Sequence, residues 1–186
     1  MKKYSLGMVV GRFQTFHHGH EQMIRYALDQ CETIIIMIGS AQESNNQKNL
    51  FDYEFRHNIL STIFQQEIQE GKIFLAPLTD LGVGNNTTWG DHLINIVIKT
   101  CGRRPDAMIS GEEERRTKWF RAKHGPIEQV YVPKTINISA TAMREHMLNN
   151  NREAWQEFTN PKIWPMYDVM RQLLIAAQAN TETMSR

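Results

Sequence analysis

The stretch VVGRFQTFHHGHEQMI, Val9 to Ile24, sets His17, His18 and His20 within four positions, after an apolar run and ahead of a helix-like pattern. Histidines so placed can ligate a metal, act as a base or donate to a phosphate. For zinc the set is poor, because adjacent ligands point different ways and no cysteine or carboxylate at useful spacing completes it; no metal ligands are assigned. His17 and His20, three apart, face the same side at a helix start. Free N–H groups and the positive end of the helix dipole attract anions there. Both imidazoles could donate to one polyphosphate, with Gly19 removing a side chain that would block its approach. The plainer alternative is two polar residues capping a helix.

Familiar phosphate and metal motifs drop out. No G-x-G-x-x-G follows the strand, no Gly-Lys-Ser/Thr is present, and His20-Glu21 is followed by Ile24 where H-E-x-x-H needs its second histidine. The elements around the histidines alternate. An apolar run, Leu6 to Val10, a helix from Gly19 to Gln30 with Ile24, Leu28 and Cys31 on one face, and the β-branched run TIIIMIG from Thr33 make a β-α-β unit. A polar loop to Leu50, a helix from Asp52 to about Gln69, the strand KIFLAP, a Gly/Asn-rich loop and a helix to about Lys99 follow. DAMISG and EQVYVP read as strands, EEERRTKWFRAKHG and SATAMREHMLNN as helices. Five short strands separated by helices predict an α/β fold with a doubly wound parallel sheet. Its carboxyl edge is where ligands bind.

The last segment, Arg152 to Arg186, breaks this rhythm. Pro165 suits the first turn of a helix, Val169, Leu173 and Ala176 or Ala177 supply its apolar stripe, and NTETMSR reads as a frayed tail. At 186 residues one domain is the default. With 21 basic against 20 acidic residues and a net charge of +1, nothing suggests a nucleic-acid or membrane surface, so a small ligand is the expected partner. Cys31 and Cys101, far apart and without C-x-x-C spacing, read as reduced and buried. The longest aliphatic run, IIIMI, is far below a membrane span, and the N-terminus has too short an apolar stretch for a signal peptide. The expected location is the cytoplasm.

GRFQTFHHGH, Gly11 to His20, resembles the G-R-F-x-P-x-H-x-G-H motif of the HxGH nucleotidyltransferase superfamily, and NISATAMREHM, Asn137 to Met147, resembles its second signature, I-S-x-T-x-x-R. Two signatures in the right order, about 120 residues apart, are far more specific than either alone. IGSAQESNNQKNLFDYEFR and PLTDLGVGNNTTWGDHL are similar to the corresponding stretches of archaeal-type nicotinamide mononucleotide (NMN) adenylyltransferases. The likeness runs from Met8 to Leu148. Thr15 stands where the family usually has Pro, which leaves the loop before His17 less rigid.

The resemblance implies a Rossmann-like nucleotidyltransferase domain over residues 1–150, with residues 151–186 a C-terminal helical appendage packed on it. It implies transfer of AMP from ATP to the 5′-phosphate of NMN, giving NAD and pyrophosphate, with Mg²⁺ accompanying ATP and a homo-oligomeric enzyme of NAD biosynthesis. His17, His20 and Arg144 are then the catalytic set: the histidines on ATP phosphates, Arg144 on leaving-group charge. Gly11, Arg12, Phe13, Gly19, Ser110, Gly111, Ile138, Ser139 and Thr141 would bind ATP, with Ser139 and Thr141 at a helix cap. Ser40, Gln42, Asn85, Asn86 and Trp89 would bind the mononucleotide, Trp89 stacking on its ring. Taken alone, SATAMR is also an ordinary N-cap with a solvated arginine, and Trp89 also a core anchor. Arg115 and Arg116 have no assigned role. The competing readings are another superfamily member, acting on nicotinate mononucleotide, FMN, phosphopantetheine or a CTP-dependent substrate, and a non-catalytic nucleotide sensor.

Overall fold

The computed structural model describes residues 1–82, 86–112 and 119–184, those at 86, 87 and 181–184 by backbone alone. Five parallel strands, β1 (Tyr4–Gly11), β2 (Cys31–Ile38), β3 (Ile73–Pro77), β4 (Ala107–Gly111) and β5 (Glu128–Val132), form one sheet in the order β3-β2-β1-β4-β5. β1 is central, and the order reverses on either side of it, so the carboxyl ends of β1 and β4 flank a topological switch point. The unbroken apolar run in β2 follows from burial on both faces. Ile34, Ile36 and Ile38 face one core with Val9 and Ile109, while Ile35 and Met37 face another with Leu6, Met8, Val10 and Met108.

The helices are α1 (His18–Gln30), α2 (Tyr53–Ile63), α3 (Gln65–Gln69), α4 (Asn86–Cys101), α5 (Ala140–Leu148), α6 (Arg152–Glu157) and α7 (Tyr167–Met184). The first core takes residues from α1, α2, α5, α6 and α7; the second takes α4. No helix among the described residues is long and apolar enough to cross a membrane.

Several expectations need correction. Ile24, Leu28 and Cys31 do reach one core, as expected, but Leu28 is only partly buried, Cys31 already opens β2, and α1 buries Glu21 and Ala27 as well. The helix expected from Asp52 to Gln69 breaks at Phe64, whose ring is fully buried while its backbone leaves helical geometry. The helix expected over EEERRTKWFRAKHG is absent from its described part: residues 113–118, with Arg115 and Arg116, lie outside the described residues, and beyond them stands a single 3₁₀ turn, Ala122–His124. Pro165 sits inside a 3₁₀ segment, Pro161–Met166, that leads into α7. The buried stripe of α7 is Tyr167, Met170, Leu174 and Ala177: of the expected residues Ala177 is fully buried and Leu173 packs at its edge, while Val169 is 49% exposed. The backbone stays helical through Met184 where a frayed tail was expected. Cys31 is free and buried; Cys101 is free but only partly buried.

Candidate active site

β1 delivers the chain at the switch point and ends at Gly11, over which the ring of Phe13 folds so closely that a Cβ would lie 2.8 Å from it. The loop that follows is buried, not polar-exposed: Phe13, Gln14, Thr15 and Phe16 are all 5% exposed or less. It is held without a proline. Gln14 Nε2 donates to the Phe51 carbonyl and Gln14 Oε1 accepts from the Phe51 amide, both at 2.9 Å. Arg56, on α2 and fully buried, grips the same loop from below. Its Nη1 donates to the carbonyls of Arg12 and Gly39, its Nη2 to Ser40 O and its Nε to Asp52 O. Burial pushes its guanidinium pKa down to about 10.

His17 is the N-cap of α1, and its Nδ1 accepts from the Gly19 amide at 3.1 Å. The hydrogen bond fixes the neutral tautomer with its proton on Nε2. The His17 and His20 rings stack 3.9 Å apart, and His20 meets Phe13 edge-on at 5.2 Å. Capping and pairing are thus both realised. Burial, then the charges of His18 and Lys134, bring the His17 pKa down to about 4; burial, then His17, holds His20 well below the usual imidazole value. Both rings are neutral donors at neutral pH. His20 Nδ1 is buried with no hydrogen-bond partner among the described residues. A Cβ on Gly19 would lie 3.0 Å from the His17 ring, so any other residue there would press on that imidazole. His18 turns away, its Nδ1 3.5 Å from Glu21.

The amides of α1 are not free for an anion, contrary to expectation. His18 N donates to Phe158 O, Gly19 N to the His17 ring, and His20 N and Glu21 N to His17 O. α5 differs. Ser139 caps it through Oγ, which accepts from Ala142 N at 3.2 Å, and Met143 N donates to Ser139 O; the Ala140 and Thr141 amides have no partner among the described residues. Thr141 lies in the first turn rather than at the cap, its hydroxyl accepting from Arg144 Nη2 at 3.2 Å. Arg144 is half-buried, and burial, then Arg12, lowers its pKa. Its Nη1 donates to Gln47 O across the cleft.

These groups converge on one cleft of about 500 Å³, lined by Gly11, Arg12, Phe13, His17, Gly19, His20, Gly111, Ile138, Ser139, Thr141 and Arg144. Ser110 does not line it and is 1% exposed. A Cβ on Gly111 would meet nothing within 4 Å, so a ligand has room there. Sequence reasoning missed Lys48, Lys134 and Glu112, which also line the cleft. Lys134 and Glu112 sit just past the carboxyl ends of β5 and β4, where the sheet-edge rule points. Among the described residues four cations, Arg12, Lys48, Lys134 and Arg144, against one carboxylate make the cleft strongly anion-attracting.

Ser40, Gln42 and Trp89, expected to bind the mononucleotide, do not line this cleft. Ser40 is buried, its Oγ 3.4 Å from Asp80, and Gln42 clasps the Asp80 backbone through Nε2 to O and Oε1 from N. Trp89 lies in the first turn of α4 rather than in a loop, donates from Nε1 to Gly82 O, and stacks on Trp119 with centroids 5.3 Å apart. Asn85 lies outside the described residues, as does the side chain of Asn86. Gly90 allows the stack, since a Cβ there would lie 1.9 Å from Trp119 O. Trp119 carried no signal in the sequence because its partner is thirty positions away.

Residues 8–146 match the family model described as cytidylyltransferase-like. A nicotinamide-nucleotide adenylyltransferase of Thermococcus kodakarensis is 33% identical over 153 residues, covering 81% of this chain and 76% of that one. A nicotinamide/nicotinic acid mononucleotide adenylyltransferase of Acinetobacter baylyi is 36% identical over 146 residues, covering 78% and 76%. Among solved structures, a bifunctional NMN adenylyltransferase/ADP ribose pyrophosphatase from Francisella tularensis, complexed with AMP and a manganese ion, superposes with a TM-score of 0.73 at 24% identity, a likeness of fold. The match covers 93% of this chain but only 52% of that protein, about half its length.

Proposed function

The chain belongs to the cytidylyltransferase-like family, and from that membership we propose that it transfers AMP from ATP to the 5′-phosphate of nicotinamide mononucleotide, releasing NAD and pyrophosphate. The Thermococcus relative is named a nicotinamide-nucleotide adenylyltransferase and the Acinetobacter one a nicotinamide/nicotinic acid mononucleotide adenylyltransferase, which supports a pyridine mononucleotide as acceptor over FMN, phosphopantetheine or a CTP-dependent substrate. One observation carries the reading: a stacked pair of neutral histidines, with Nε2–H of His17 available, opposite the start of α5 across a cleft with four cations.

The attacking phosphate is already an anion at neutral pH, so the reaction needs no activated nucleophile and no general base. What remains is alignment and neutralisation of charge. The His17 and His20 imidazoles donate to α-phosphate oxygens without adding a charge that would hold the product. The free Ala140 and Thr141 amides and the Arg144 guanidinium receive the β and γ phosphates that leave. Arg12, Lys48 and Lys134 offset the remaining negative charge, and adenosine lies over Gly111. Among the described residues the cleft holds one carboxylate, Glu112, which would contact a Mg²⁺ accompanying ATP, and that ion would supply neutralisation of phosphate charge. Trp89, half-buried beside Trp119 at the start of α4, is the residue assigned to stack on the pyridine ring of a mononucleotide that extends beyond this cleft.

Incubation with ATP, Mg²⁺ and a panel of mononucleotides tests this directly. Pyrophosphate should appear fastest with NMN, together with NAD. Release with FMN, phosphopantetheine or a CTP-dependent acceptor instead moves the substrate, and release with none overturns the enzyme reading in favour of a sensor.

A further inference from the structure

The segment Phe158 to Asn160 lies beyond the family match, which ends at residue 146, yet it docks on the start of α1. Phe158 O accepts from the His18 amide at 2.8 Å. Asn160 Nδ2 donates to both Glu21 carboxylate oxygens, at 3.0 and 3.1 Å, across 139 positions of sequence. The Glu21 side chain is 11% exposed and also receives Arg25 Nε and Nη2 at 2.9 and 2.7 Å. The docking segment is itself tied to its neighbours. Thr159 is 1% exposed, with Oγ1 donating to Trp155 O, and Trp164 Nε1 donates to Thr159 O. Behind it Trp155 and Tyr167 are buried in the core that also holds Phe13, Phe16 and Ile24.

We propose that Asn160 is a positioning residue for the histidine pair, acting through Glu21 and the Phe158 contact to set the first turn of α1. Glu21 follows His20 directly, so the turn that bears both imidazoles is the turn the carboxylate anchors. With His18 N committed to Phe158, the start of α1 presents ring N–H groups rather than backbone amides to a phosphate. Displacing this turn misaligns the rings without removing them, and misplacement of about 1 Å can cost up to about a hundredfold in rate.

The inference rests on the proposed reaction, and its test is separable from it. Asn160 Oδ1 also caps Lys162 N, and Asn160→Asp keeps that acceptor while losing the donor and setting two carboxylates together. The expected result is a kcat lower by about tenfold or more, with both Michaelis constants within about twofold, measured below the melting transition. The double variant Glu21→Gln, Asn160→Asp restores an amide-to-carboxylate bond with its ends exchanged, and should recover most of the loss. A kcat for Asn160→Asp within about twofold of wild type, or a double variant no better than the single one, overturns the proposal. If Asn160→Asp does not fold, Asn160→Ser keeps the cap without the charge and is judged by the same criteria. Imidazole ¹⁵N spectra of His17 and His20 supply a readout that does not depend on turnover: the ring shifts should move in the single variant and return in the double one, and unmoved shifts overturn the proposal. A wild-type protein that makes no pyrophosphate counts against the reaction alone.

Discussion

Substituting His17 by Asn separates the cap from the titrating ring. Asparagine is a good N-cap and its oxygen can accept the Gly19 amide in place of Nδ1. Burial lowers the folded-state pKa of His17 from 6.5 to about 4, so on acidification the unfolded chain takes up the proton first. Its contribution to stability is therefore complete above about pH 6.5 and is lost as pH falls through about 4. At 1.36 kcal/mol per pH unit, the interval from 6.5 to about 4 bounds the loss at roughly 3 kcal/mol, most of it the burial of the ring and the rest repulsion from His18 and Lys134. Urea unfolding of both proteins at intervals from pH 7 to pH 4 measures it. Wild-type stability should fall by about 2 to 3 kcal/mol more than that of His17→Asn, with the divergence starting near pH 6.5. Parallel curves would refute the buried, neutral state on which the donor role depends.

His20→Ala should lower kcat by about 10² to 10³, the range for losing one donor to transition-state charge, in steady-state assays of a folded variant; unchanged turnover removes His20 from the mechanism. Arg144→Ala should raise the Michaelis constant for ATP well above that for the mononucleotide, since its guanidinium is assigned to the leaving phosphates, and equal rises in the two would count against that. Trp89→Ala should raise the mononucleotide Michaelis constant by about tenfold, a stacking loss of about 1 to 3 kcal/mol. A lower melting temperature with that constant unchanged would instead make the Trp89–Trp119 stack a core anchor.

Much of this protein is legible from short-range pattern. The apolar run of β2, the cap at Ser139, the i, i+3 pairing of His17 and His20 and the glycine between them all depend on neighbours within a few positions, where backbone geometry dictates which side chains share a face. The alternation of strand and helix then determines the parallel α/β class, and with it a ligand site at the carboxyl edge. Phase and continuity were less secure, because tertiary burial overrides local periodicity: Glu21, a carboxylate, is buried on α1, Phe64 interrupts a helix to enter the core, and α7 turns Val169 outward. Only the tertiary structure brought Lys48 and Lys134 to the cleft and Arg56 to the loop after β1, set Trp119 on Trp89 and closed the His18 amide of α1 on Phe158. Those contacts join segments from tens to more than a hundred positions apart, and no local signal records a pairing that exists only once the sheet order has placed both partners at the same edge.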